Sequence, residues 1–171
     1  MSGKNFRVAQ TGERTNVEGK SVTNKVLLAT PDNEYKLIRP ELTYIDLPHR
    51  LSLHEASQKI EFVYFPNRGM VSQVVVTKDG RTVEVGVVGS EGYVGAGLAV
   101  GLSRSSVREI IQIAGDGFRI LGNALERILG TSFFPWAGAS DLPDPPRKFR
   151  FPHRFAHGLH PRRCADGYLF P

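Results

Sequence analysis

From residue 41 to residue 120 the chain is written in short runs of β-branched and aromatic residues broken by turn residues. Residues 42–47 partly alternate apolar and polar positions, while residues 60–65, 70–76 and 82–88 are denser in Val, Ile, Phe and Tyr. Such side chains fit a pleated, half-buried surface, so each run predicts a strand. Lys78, Asp79, Gly80 and Arg81 stand between the last two runs. Asp-Gly between two strands predicts a tight hairpin, whose turn needs positive φ. Residues 107–113 and 118–120 continue the series, with Gly115-Asp116-Gly117 predicting a turn between them. Short strands at regular spacing predict a sandwich, jelly roll or barrel.

Outside this block the pattern changes. Residues 1–20 are polar, carry Gly3, Gly12 and Gly19 and show no period, which predicts a flexible leader. Residues 21–39 predict two short helices. Val22, Val26, Leu27 and Leu28 form one apolar patch, and Thr30-Pro31 is a helix-start signal, since Thr caps free N–H groups and Pro suits a first turn. Pro40 disfavours helix at Arg39. Residues 90–100 interrupt the strands with small residues. Glycines let a backbone approach a ligand or a neighbouring chain, and a short helix here would point N–H groups at an anion. Leu121, Leu125 and Leu129, at i, i+4 and i+8 with Ala124 and Ile128 alongside, predict a helix ended by Gly130.

After Thr131 the periodicity is lost. Seven of the eleven prolines fall in residues 131–171, with the only Trp and Cys, and Pro143, Pro145 and Pro146 rule out a long helix. The organisation expected is therefore a leader at 1–20, a β-rich unit with flanking helices at 21–131, and an irregular Pro/Arg/aromatic tail at 132–171. The net charge of +5 divides into +2 over residues 1–130 and +3 over 131–171, so the balance that suits a polyanion sits mostly in the tail. No run of about 18 apolar residues exists, and no apolar segment follows the N-terminal Met1-Ser2-Gly3-Lys4-Asn5-Phe6. Cys164 has no internal disulfide partner. Cytoplasmic residence is the expectation.

Candidate chemistry is sparse. His153, His157, His160 and Cys164 are residue types that suit zinc, but Pro152, Pro161 and the lack of a predicted scaffold make an unplanned cluster the expected reading, with no metal site. His49 and His54 are isolated and expected to be exposed near a turn. The chain has no His-x-His pair, nucleophile elbow, Walker loop or paired catalytic carboxylates, so no enzyme is expected. Glu84 is expected on a solvated strand face, and Glu91 in a capping role at the start of the small-residue segment.

Two stretches carry a family resemblance. Glu61-Phe62-Val63-Tyr64-Phe65-Pro66-Asn67-Arg68-Gly69-Met70-Val71-Ser72 and Asp79-Gly80-Arg81-Thr82-Val83-Glu84-Val85-Gly86-Val87-Val88-Gly89-Ser90-Glu91-Gly92-Tyr93-Val94-Gly95 resemble the cyclic nucleotide-binding β-roll of the bacterial Crp/Fnr transcription regulators. The resemblance runs from about Lys25 to Thr131. It implies a mainly β fold, an eight-stranded double-stranded β-helix of jelly-roll type with short flanking helices. It also implies a phosphate-binding cassette at about residues 89–107.

In the family's cyclic AMP binders the cassette carries Gly-Glu-Leu, whose Glu accepts from the ribose hydroxyl, and then Arg-Ser or Arg-Thr, whose Arg pairs with the cyclic phosphate. Here Gly95 fits the Gly, Ala96-Gly97 stands where Glu-Leu is expected, and Arg104-Ser105 fits the second pair. The ligand-binding candidates are Gly95, Ala96, Gly97, Arg104 and Ser105. A planar guanidinium suits a phosphate. With the ribose acceptor missing, cyclic AMP binding is expected to be weak or absent. The implied effector is a cyclic nucleotide or another phosphate-containing small molecule.

The family's long dimerisation helix and winged helix-turn-helix are not legible beyond Thr131-Ser132. The resemblance therefore implies an effector-sensing domain truncated before its DNA-binding half, with a non-family or frameshifted ending. A homodimer is implied for the intact family rather than for this chain, and DNA contact only through a domain not visible here. The alternative is a ligandless protein-interaction domain whose β-roll is a scaffold.

Overall fold

Two long antiparallel strands organise the molecule. The computed structural model describes residues 8–77 and 79–131, all within the unit Met1–Ala137; the tail at 132–171, with its His/Cys cluster, lies outside the described residues. The strands are β1 (Thr43–Leu47), β2 (Ser52–His54), β3 (Phe62–Val76), β4 (Thr82–Val88) and β5 (Arg108–Leu121). Their order is β1-β5-β3-β4, all antiparallel, with β2 added on β5. The helices are α1 (Lys25–Ala29), α2 (Asp32–Ile38) and α3 (Gly122–Thr131).

The expected hairpin joins β3 to β4. Thr77 N–H donates to the Arg81 carbonyl at 2.8 Å, and Gly80 takes φ +79° at its tip. The predicted turn at Gly115-Asp116-Gly117 is not one. These residues lie inside β5, opposite residues 65–69 of β3. A Cβ on Gly115 would stand 2.1 Å from the Arg68 carbonyl oxygen, and one on Gly117 2.4 Å from that of Phe65. The glycines let two backbones cross closely where the register shifts, instead of reversing the chain. Gly69 complements them with φ +89°. The runs at 60–65 and 70–76 are therefore halves of one long bent strand, as are those at 107–113 and 118–120, and among the described residues five strands stand where eight were implied. The fold class is as expected: mainly β, a jelly-roll-like double-stranded β-helix with short flanking helices.

Thr30-Pro31 resolves differently from its prediction. Thr30 ends α1, its hydroxyl donating to the Val26 carbonyl at 2.9 Å, and Pro31 stands before α2 without a side-chain cap. Asn24 caps α1 instead, its Oδ1 accepting from Val26 and Leu27 N–H. Pro40 sits in a 3-10 turn (Arg39–Glu41) that extends α2. Leu121 closes β5, so α3 starts one residue later than its period suggests and includes Gly130.

Residues 8–20 do not form the flexible leader expected of them. They make a strap over the helices. Arg14 is only 5% exposed; its guanidinium donates to the Leu27 carbonyl and, at 2.7 Å, to Asp32, and lies 4.5 Å from the Tyr35 ring centre. Asn16 is fully buried, accepting from Glu18 and Lys20 N–H and donating to the Leu42 carbonyl. Polar side chains that satisfy backbone groups hold this strap, so it has no apolar period to read.

Two apolar clusters form the core. One, including Leu27, Ile38, Phe65, Phe118, Ile120 and Leu125, packs the helices on the sheet. The other, Leu47, Leu53, Tyr64, Val71, Val94 and Ile111, fills the roll. Among the described residues no helix is long and apolar enough to cross a membrane.

Candidate functional site

The segment between β4 and β5 is built from tight turns. Gly92 N–H closes a turn on the Gly89 carbonyl, and Glu91 Oε1 accepts from Gly89 N–H at 2.8 Å. Glu91 thus caps a turn rather than a helix. Val94 then bridges to Tyr64 through two backbone bonds of 2.8 and 3.0 Å, which pins the segment to the sheet. Gly95 turns the chain at φ +89° into a 3-10 helix (Ala96–Val100), and Gly101, at φ +80°, ends it. Tyr93 stacks on Phe65 with ring centres 5.8 Å apart, and burial pushes its phenol above the usual value, as it does that of Tyr64.

The five candidate residues fall in two groups, and only Gly95 and Gly97 of the first lie against Ile60. A Cβ on Gly95 would touch Ile60, Val63 and the Phe62 carbonyl at 3.2–3.3 Å, and one on Gly97 would meet Leu102 and Ile60 at 3.3 and 3.4 Å. These glycines permit close packing against the roll, and Ala96 between them is exposed. Arg104 and Ser105 lie past the 3-10 helix, where Ile60 N–H donates to the Ser103 carbonyl. Arg104 is exposed and its Nη1 donates to the Ser57 carbonyl at 2.7 Å. Ser105 is buried, its Oγ donating to the Val107 carbonyl at 2.7 Å.

Three further positions bear on the segment. Asn24 Nδ2 donates to the carbonyls of Pro66 and Gly92, both at 2.8 Å, tying α1 to the start of the cassette. Ser57, a non-glycine residue at φ +66°, accepts the Arg104 bond. His54, expected to be isolated and exposed, is buried: Nδ1 lies 2.6 Å from Glu109 Oε2, and Nε2 donates to the Phe62 carbonyl at 3.0 Å. Glu109 Oε1 accepts from Gln73 Nε2 at 2.8 Å. His54 is drawn inside because a buried carboxylate on the facing strand needs a partner. His49 is exposed, beside the Gln112 carbonyl. Glu84 is exposed on β4 as expected, and accepts from Ser72 Oγ. Asn24 and Ser57 had no sequence signal pointing to the cassette, since each acts through backbone groups distant in sequence.

No protein-family model and no curated protein matches the sequence. Solved structures do match. The N-terminal domain of a transcriptional regulator from Streptomyces coelicolor A3(2) superposes with a TM-score of 0.53 at 16% identity, covering 64% of this chain and 78% of that one. The c-di-GMP responsive global regulator CLP of Xanthomonas campestris gives 0.51 at 20% identity, over 63% of this chain and 52% of that one. A mutant regulatory subunit of a cAMP-independent protein kinase A from Trypanosoma brucei, bound to cAMP in its A site, gives 0.56 at 18%, over 67% and 46%. The fold is that of a cyclic nucleotide-binding domain. This chain spans about half the length of the latter two neighbours, and the three are a transcriptional regulator, a global regulator and a regulatory subunit. Within the cyclic nucleotide-binding fold, the segment from Gly89 to Val107 occupies the connection between the hairpin strand β4 and the return strand β5.

Proposed function

We propose that this chain is the effector-sensing domain of a Crp/Fnr-type transcription regulator that does not take cyclic AMP as the family's cyclic AMP binders do. The sensing module is residues 21–131, with the strap at 8–20 as its outer layer, and it acts without catalysis. The observation that carries the reading is the composition of the cassette. An exposed Ala96 and a close-packed Gly97 stand where a ribose acceptor is needed, while Arg104-Ser105 keeps a cation for a phosphate. Without the acceptor, the nucleoside half of the ligand gains no charge-assisted hydrogen bond, the strongest kind available to it. DNA contact belongs to a part of the protein outside the described residues, and residence is cytoplasmic.

Isothermal titration with cyclic AMP, cyclic GMP and cyclic di-GMP tests this. The expected result is no saturable heat from micromolar cyclic AMP; tight cyclic AMP binding sinks the reading. A second reading, a ligandless scaffold for protein interaction, is favoured by the bond that already occupies Arg104. Silence toward every phosphate-containing probe would select it.

A further inference from the structure

We propose that Arg104 is a latch between the cassette and the turn at residues 55–58, and that an anion taking its guanidinium releases that turn. The inference rests on reading Arg104 as the anion-pairing group of the cassette.

The turn is held at both ends. Gln58 N–H donates to the Glu55 carbonyl at 3.0 Å, and Gln58 Oε1 accepts from Glu55 N–H at 2.9 Å. Its inner residue, Ser57, sits in the left-handed region at φ +66°, which a residue with a Cβ adopts only when its surroundings impose it. Beyond the turn's own bonds, three contacts on Ser57 and Gln58 come from the end of the cassette. Ser57 N–H donates to the Ser105 carbonyl at 2.8 Å, Ser105 N–H donates to the Gln58 carbonyl at 2.9 Å, and Arg104 Nη1 donates to the Ser57 carbonyl at 2.7 Å.

The third bond differs from the other two. It is charge-assisted, and its donor is an exposed side chain that solvent and solutes reach. A guanidinium that turns to grip a phosphate leaves the Ser57 carbonyl. Of the contacts from the cassette, two backbone bonds then remain to hold a strained residue. The turn follows β2 directly, and β2 is only three residues long and ends at His54, paired with Glu109 in β5. Release of the turn therefore reaches the roll through its shortest strand.

Hydrogen exchange read by mass spectrometry on the full chain tests the latch, with inorganic phosphate as the probe. In phosphate-free buffer Arg104→Ala is expected to speed exchange across residues 55–60 and 103–106 about tenfold, the loss of one charge-assisted bond, with α3 unchanged. Ser57→Gly relieves the strain while keeping the carbonyl, so it is expected to slow exchange there and to weaken phosphate binding about fivefold. Phosphate added to the wild type is expected to speed exchange at 55–60 and to leave Arg104→Ala unaffected. Unchanged exchange in Arg104→Ala overturns the latch, even if phosphate binds through Arg104. Faster exchange in Arg104→Ala with no phosphate binding by the wild type overturns the anion reading instead, and with it the release step.

Discussion

The paired strands β3 and β5 have two ends made of similar residues and treated oppositely by the fold. At the end near α3, Phe65 faces Phe118, both fully buried, with Tyr44 edge-on to Phe118 at 5.7 Å and the helices above. At the hairpin end, Val75 faces Val83, and Val83 and Val85 are 51% and 57% exposed. The cause is where β5 begins. Arg108 pairs with Val74, so beyond that position β3 has only β4 beside it and the two run on as a bare hairpin. A β-branched run thus predicts a strand but not a core, because burial is decided by what lies across the sheet.

The largest way to test this contrast is Phe118→Ala. It removes a ring from the closed end and is expected to cost about 3–5 kcal/mol in denaturant unfolding. Gly115→Ala comes next. Its methyl would overlap the Arg68 carbonyl, and a loss of roughly 1–3 kcal/mol is expected as the crossing is forced apart.

Glu34 in α2 gives a smaller, pH-dependent effect. Burial raises its carboxyl above 4.5, so the folded state favours the proton. That contribution is fully present below the unfolded value and is lost as pH rises through the folded one. Glu34→Gln should therefore match the wild type in acid and exceed it in thermal stability at neutral pH. The smallest effect belongs to the open end. Val83→Thr is expected to change stability by no more than about 0.5 kcal/mol, while lowering self-association in light scattering. A loss there as large as at Phe118 would mean the hairpin is covered.

Much of the fold was legible because local chemistry decides it. The Asp79-Gly80 turn fixes the hairpin, and Thr82–Val88 is a strand over the span its valines mark. The glycines at 115 and 117 misled, because glycine serves a reversal and a close crossing equally well and only the facing strand tells them apart. β2 was missed: three residues, one of them a histidine buried by its partner, carry no period. The strap was missed because Arg14 and Asn16 hold it through backbone carbonyls and N–H groups. Between β4 and β5, the small-residue run that breaks the strands was readable. That Arg104 reaches back to Ser57 was not, since forty-seven positions separate them.

One side chain at the head of α1 joins three elements of the fold. The Asn24 amide caps α1 with its oxygen and holds the Pro66 and Gly92 carbonyls with its nitrogen, so a helix, the sheet and the first turn of the β4–β5 segment meet at one side chain, reinforced by Lys25 N–H on the Ser90 carbonyl and the Val94–Tyr64 bonds. In mechanical language these three bodies share one joint. The cassette's first turn cannot lift from β3 while α1 keeps its place and that joint stays whole.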